Sequence, residues 1–153
     1  MMAGHDRITD EGRRFYAQIA ELKKLQVRVG FQAGEAAEED GVDIANIAMW
    51  NELGTSTAPA RPFMRKSVDE NASKISAMCQ AQLKRLASGA TAQEILQQLG
   101  VFQKGLIQEK IVSGSFAANA AATIRKKKSD KPLIDTGRMR QSVSFVIRQK
   151  GGD

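Results

Sequence analysis

Val27-Arg28-Val29-Gly30-Phe31 alternates apolar and polar side chains and is rich in β-branched residues. Successive strand side chains point to opposite faces, so the pattern predicts a half-buried strand. A strand needs a partner, and the matching alternation stands near the other end of the chain. There Val143, Phe145 and Ile147 interleave with Ser144 and Arg148. Pairing the two would close a sheet across nearly the whole chain, with everything between left to pack on it. The expected fold class is therefore α+β: a small antiparallel sheet against several helices, two of them long, in a single domain over residues 1–153. Two strands alone make a marginal sheet. Either the stretch from Thr55 to Arg61 adds a third strand or another subunit completes the sheet.

The helical segments follow from apolar spacing. Phe15, Ile19 and Leu22 form one stripe, with Asp10 and Glu11 near its start, where negative charge suits the helix dipole. Asp43 is placed to cap a short helix from Ile44 to Leu53, and Gly54 to end it. Pro59 and Pro62 bias their predecessors toward extended backbone, so Thr55 to Arg61 reads as an exposed connector, and Pro62 suits the first turn of the next helix. From there Met64, Val68, Ile75, Met78, Leu83 and Leu86 keep one stripe as far as Ser88-Gly89, predicting the longest helix of the chain. Thr91-Ala92-Gln93-Glu94 is a capping box opening a second long helix toward Val112, which Gly100 and Gly105 weaken.

Composition narrows the class. Hydrophobic residues make up 42% and charged residues 26%, ordinary for a globular domain, but aromatics are only 5%, so the core must be mainly aliphatic. The one cysteine, Cys79, cannot form an internal disulfide, and no apolar run approaches membrane-spanning length. A soluble protein of a reducing cytoplasm, without a membrane partner, is expected. Net charge is +6, concentrated in Arg125-Lys126-Lys127-Lys128 and Lys131. These residues belong to a stretch over about 113–131 that reads as a long, mobile basic loop. Gly34 to Gly41, with Glu35, Glu38, Glu39 and Asp40, reads as an acidic loop.

Chemistry-bearing motifs are few. Asp135-Thr136-Gly137 matches the triplet of aspartic proteases, which need two carboxylates sharing one proton. This chain has one such triplet, and only sixteen residues follow Gly137. Asp135 or Thr136 capping the turn before the last strand, with Gly137 easing the bend, is the better reading. His5 has no partner for acid–base or metal chemistry, Cys79 reads as a small core residue, and no phosphate loop, dinucleotide fingerprint or metal-ligand spacing is present. Neither a cofactor nor enzymatic activity is expected.

Two blocks carry a resemblance. The first runs Ile47-Ala48-Met49-Trp50-Asn51-Glu52-Leu53-Gly54-Thr55 to Pro59-Ala60-Arg61-Pro62-Phe63-Met64. The second runs Thr123-Ile124-Arg125-Lys126-Lys127-Lys128 to Pro132-Leu133-Ile134-Asp135-Thr136-Gly137-Arg138-Met139-Arg140-Gln141-Ser142-Val143. In content, order and separation the pair resembles the tail-completion (neck or minor-tail) proteins of tailed bacteriophages and prophages. In that family the N-terminal block is similar to A-x-x-x-E-[FL]-G-T followed by P-x-R-P-F. The C-terminal block is similar to T-I-x-x-K followed by P-L-I-D-T-G-x-[LM]-x-x-S. Leu53 and Met139 stand at positions that vary within such proteins. The matched pieces cover under half the chain.

The resemblance implies a non-enzymatic structural protein of the virion. It would self-assemble as a ring, a hexamer among the candidate sizes, and dock to head–tail connector, tail-terminator or tail-tube proteins, in the host cytoplasm first and then in the neck or tail. Glu52, Gly54, Arg61, Pro62, Phe63, Arg125, Lys126, Lys127, Lys128, Asp135, Thr136 and Gly137 are the expected assembly or interaction residues. If the basic cluster faced a lumen, it would meet DNA phosphates without sequence preference and in a salt-sensitive way. The competing reading, motivated by net charge, is a sequence-independent nucleic-acid-binding module.

Overall fold

A computed structural model describes residues 7–34, 37, 41–113 and 137–151. The elements are α1 (Asp10–Lys24), β1 (Leu25–Gly30), α2 (Ile44–Leu53), α3 (Phe63–Asp69), α4 (Ala72–Ala87), α5 (Ala92–Ser113), α6 (Arg138–Gln141) and β2 (Ser144–Gln149). The architecture is α+β. β1 and β2 pair antiparallel from Leu25 with Gln149 to Gly30 with Ser144, placing Val27 opposite Ile147 and Val29 opposite Phe145. Two segments remote in sequence therefore meet in one ladder, as the alternation requires.

α5 is the axis of the molecule, touching both strands and α1, α3, α4 and α6. It opens on the expected capping box: Thr91 Oγ1 accepts from the Glu94 N–H at 3.1 Å, and a Glu94 carboxylate oxygen accepts from the Thr91 N–H at 3.2 Å. Gly100 is more than a weak point in this helix. A Cβ there would lie 2.4 Å from the Phe145 ring, so the missing side chain is what lets α5 lie flat on β2.

Among the described residues, two clusters of buried side chains stand out. The larger unites Ile44, Ala48, Phe63, Ile107, Ile111, Met139 and Val143, from α2, α3, α5, α6 and the residue before β2. Phe31 meets Phe63 edge to face, with ring centroids 6.0 Å apart, a favoured aromatic geometry. The smaller cluster is Leu25, Ala92 and Leu96, with Leu22, Val27, Leu99 and Ile147 packed against it.

Three expectations are corrected. The stripe from Met64 to Leu86 is two helices, α3 and α4, separated at Glu70-Asn71. The Asn71 amide donates to the Ser67 carbonyl at 2.9 Å, and its backbone N–H bonds back to Val68 rather than continuing the ladder. Asparagine breaks helices by this local competition. Consequently α5, with 22 residues, is the longest helix among the described residues. Residues 55–61 form no strand, and the described sheet has two strands. The first strand begins at Leu25, directly after α1, and ends at Gly30, so Phe31 lies beyond it.

Candidate functional site

The block from Ile47 to Met64 folds into a clasp. α2 starts as expected, with Asp43 Oδ1 accepting from the Ala45 N–H at 3.0 Å, and ends at Gly54, whose φ is 78°. Only glycine fits there, for two reasons. That backbone region disfavours other residues, and a Cβ would sit 2.8 Å from the Ala60 nitrogen. The chain then turns tightly. Thr55 N–H donates to the Ala58 carbonyl at 2.9 Å, and Thr55 Oγ1 accepts from the Ala58 N–H at 3.0 Å.

Beyond the turn, Arg61 comes back beside α2, with its guanidinium 3.4 Å from Asn51 Oδ1 and its backbone N–H donating to the Asn51 carbonyl. Pro62 stands at the N-cap of α3 and makes no side-chain cap bond. The cap comes instead from Glu52. Its carboxylate accepts from the N–H groups of Met64 at 2.9 Å and Arg65 at 3.1 Å, satisfying two donors that a helix start leaves orphaned. Phe63 is fully buried beside it. Glu52, Gly54, Arg61, Pro62 and Phe63 are thus brought together where α3 meets α2, with Glu52, Arg61 and Phe63 making the contacts between them.

The second block reaches the same place from the other side. Gly137 adopts the left-handed conformation, with φ 62°, before α6, easing the bend as expected. Met139 and Val143 drop into the cluster that holds Ala48 and Phe63. Ser142 Oγ donates to the Arg138 carbonyl at 2.6 Å, and the Gln108 amide of α5 donates to the Arg140 carbonyl at 3.1 Å. The two blocks, remote in sequence, share one core. Ser113, the expected start of the basic loop, is the last residue of α5. The rest of that stretch, with Arg125, Lys126, Lys127 and Lys128, and also Asp135 and Thr136, lie outside the described residues.

No family model, curated protein or solved structure matches the chain.

The outer side of the clasp carries residues that the sequence motifs do not single out. Met49, Trp50 and Leu53 of α2 are exposed, Leu53 to 71%. The signal was present. Ile44, Ile47 and Ala48 occupy the core side of a ten-residue helix, whereas Met49, Trp50 and Leu53 extend its apolar surface onto the opposite side. Asn46 is exposed among them, so this outer side is apolar with one polar member. Under Met49 and Leu53 lies a recess of about 270 Å³ walled by Phe31, Ala48, Glu52 and Met64.

Met64 also lines a second, larger groove of about 370 Å³, bounded by Val27 and Val29 of β1, Val68 of α3, Ile75 and Cys79 of α4, and Leu99 and Phe102 of α5. Gln103 is a polar member of its wall. The Gln103 amide donates to Ser67 Oγ at 3.1 Å, and Ser67 Oγ donates to the Met64 carbonyl at 2.6 Å, so these polar groups satisfy one another. Cys79 is half-buried in the same wall rather than in the core. Among the described residues, no three His, Cys, Asp or Glu side chains gather as a metal site would require, and no helix is long and apolar enough to cross a membrane.

Proposed function

We propose that this chain is a structural virion protein of a tailed phage or prophage. It completes the head–tail neck or the tail end by assembling with copies of itself, as a ring, and by docking to connector, tail-terminator or tail-tube proteins. The observation that carries the reading is the meeting of the two matched blocks in one core. Ala48 and Phe63 from the first pack with Met139 and Val143 from the second, and the same clasp leaves Met49, Trp50 and Leu53 facing outward. An exposed apolar surface rimmed by polar residues is what docking to a partner requires.

Deleting the gene from an inducible prophage and imaging the induced particles tests this directly. Heads and tails left unjoined, or malformed tails, are expected; normal virions would refute it. The second reading, sequence-independent nucleic-acid binding, is favoured by the net charge of +6. It requires binding to duplex DNA that weakens steeply with salt, and absence of binding at low salt removes it.

A further inference from the structure

We infer that the outer face of the β1–β2 ribbon, at the end where Lys24 meets Lys150, binds the phosphate backbone of nucleic acid without regard to sequence. This rests on the nucleic-acid reading and gives it a surface.

Charge is spread unevenly along the chain. Residues 22–34 and 137–151, the two strands with their flanks, hold seven Lys or Arg residues and not one Asp or Glu. The rest of the chain holds 16 basic residues against 17 acidic ones, so the net charge of +6 comes from the sheet and its flanks. All seven side chains are exposed.

Register sets which way they face. Phe145 lies against Gly100 of α5, and Val27 and Val29 line the groove beside that helix, so this set of alternate residues faces α5. Arg28 and Arg148 belong to the other set and stand on the face turned away from it. Arg148 pairs with Gln26 and Arg28 with Val146, so the two arginines are diagonal neighbours. Beyond the last strand pair, the Lys150 N–H donates to the Lys24 carbonyl at 2.7 Å, which sets two lysines opposite each other, with Lys23 adjoining at the end of α1.

Like charges set opposite each other across a ladder destabilise it. Among the described residues, no carboxylate forms a salt bridge with Lys23, Lys24 or Lys150. A phosphate seated between the lysines would turn that repulsion into attraction. Arg28 and Arg148 also interact within the chain, so the test is placed on the lysines.

The same face selects the kind of polyanion. A protein partner is held by apolar or aromatic anchors at the centre of its footprint. None of the large apolar side chains exposed among the described residues belongs to either strand, and Val146, the one apolar side chain on the outer face, is half-buried. Nucleic acid needs no such anchor. Its backbone repeats a charge at every nucleotide, and its interfaces are more polar and far more positive than those between proteins.

Fluorescence anisotropy of short labelled duplexes of unrelated sequence, titrated with the full chain between about 50 and 200 mM salt, tests the assignment. One variant combines Lys24→Gln with Lys150→Gln. A control with the same change of charge combines Lys74→Gln with Lys84→Gln on α4. All four lysines are exposed, so both proteins should fold, and thermal melts check that they do. Wild type and control should bind every duplex alike, with affinity falling steeply as salt rises. The Lys24 and Lys150 variant should bind about tenfold more weakly at low salt and, having lost two phosphate contacts, show a salt slope shallower by about two.

A wild-type chain that binds no duplex at low salt rejects the nucleic-acid reading, and this face with it. Binding untouched by the Lys24 and Lys150 changes, or weakened as much by the control pair, rejects the face and leaves that reading standing. Binding lost instead when Arg125, Lys126, Lys127 and Lys128 are changed to Gln does the same. An acidic polypeptide, or vesicles of anionic lipid, displacing the duplex as well as unlabelled duplex does, charge for charge, overturns the choice of partner.

Discussion

The two ends of α5 are packed differently. Near its C-terminal half, Ile107 and Ile111 join Ile44, Phe63, Met139 and Val143 in a cluster with almost no exposed area. Near its N-terminus, α1 lies over it without a single buried residue. α1 is held by half-buried Phe15, Ile19 and Leu22 and by polar bonds that cap other elements. Gln18 Oε1 accepts from the Ala92 N–H at 2.8 Å at the start of α5, and the Arg14 guanidinium donates to the Gly89 carbonyl after α4. The larger cluster thus aligns α2 and α3, while the α1 side rests on the smaller cluster around Ala92 and Leu96 and is fastened at its edges.

Substitutions test that contrast. The largest effect should come from Phe63→Ala, which empties the centre of the tight cluster and should cost about 3–5 kcal/mol. Phe15→Ala on the loose side should cost far less, about 1 kcal/mol. Denaturant titration reads both, and equal losses would remove the contrast. Gly100→Ala should follow, because its Cβ would meet the Phe145 ring, which must shift; overpacking of this kind costs about 1–3 kcal/mol. A neutral or stabilising result would mean that α5 and β2 have room between them.

Glu52→Ala should be smaller, about 1–2 kcal/mol, in the range of a lost helix cap. The smallest effect belongs to the surface pair of Lys110 and Glu70. The Lys110 ammonium, hydrogen-bonded to the Glu70 carboxylate, holds that carboxyl below its ordinary value, although some desolvation opposes it. A depressed folded value means that the contribution is present above the ordinary carboxylate range and lost as pH falls through the folded value. Thermal melts of Glu70→Gln and wild type should therefore differ slightly at neutral pH and converge in acid; a gap that persists in acid would dissociate the effect from ionisation.

How much of this was legible depended on range along the chain. The cap of α2 by Asp43, its end at Gly54 and the capping box of α5 are local events between residues a few positions apart, and each stands where the sequence predicts. The strand pairing was also legible, because alternation reports the face that a sheet buries. The break at Asn71 was hidden beneath an apolar stripe that continues across it, since side-chain spacing does not register an amide bonding back to Ser67. Gly100 read as a defect because its reason is the distant Phe145 ring. For the candidate site, the blocks were recognisable as blocks, but their meeting through Phe63, Met139 and Val143 is tertiary and has no local trace.

In the proposed function, the clasp holds α2 so that its outer side can join virion components. Introducing Leu53→Glu into an inducible prophage, after showing that the purified variant melts like wild type, tests this most directly by electron microscopy of the induced particles. Unjoined heads and tails, or malformed tails, are expected from a chain that is folded as before. Intact, infectious virions at wild-type yield would contradict it.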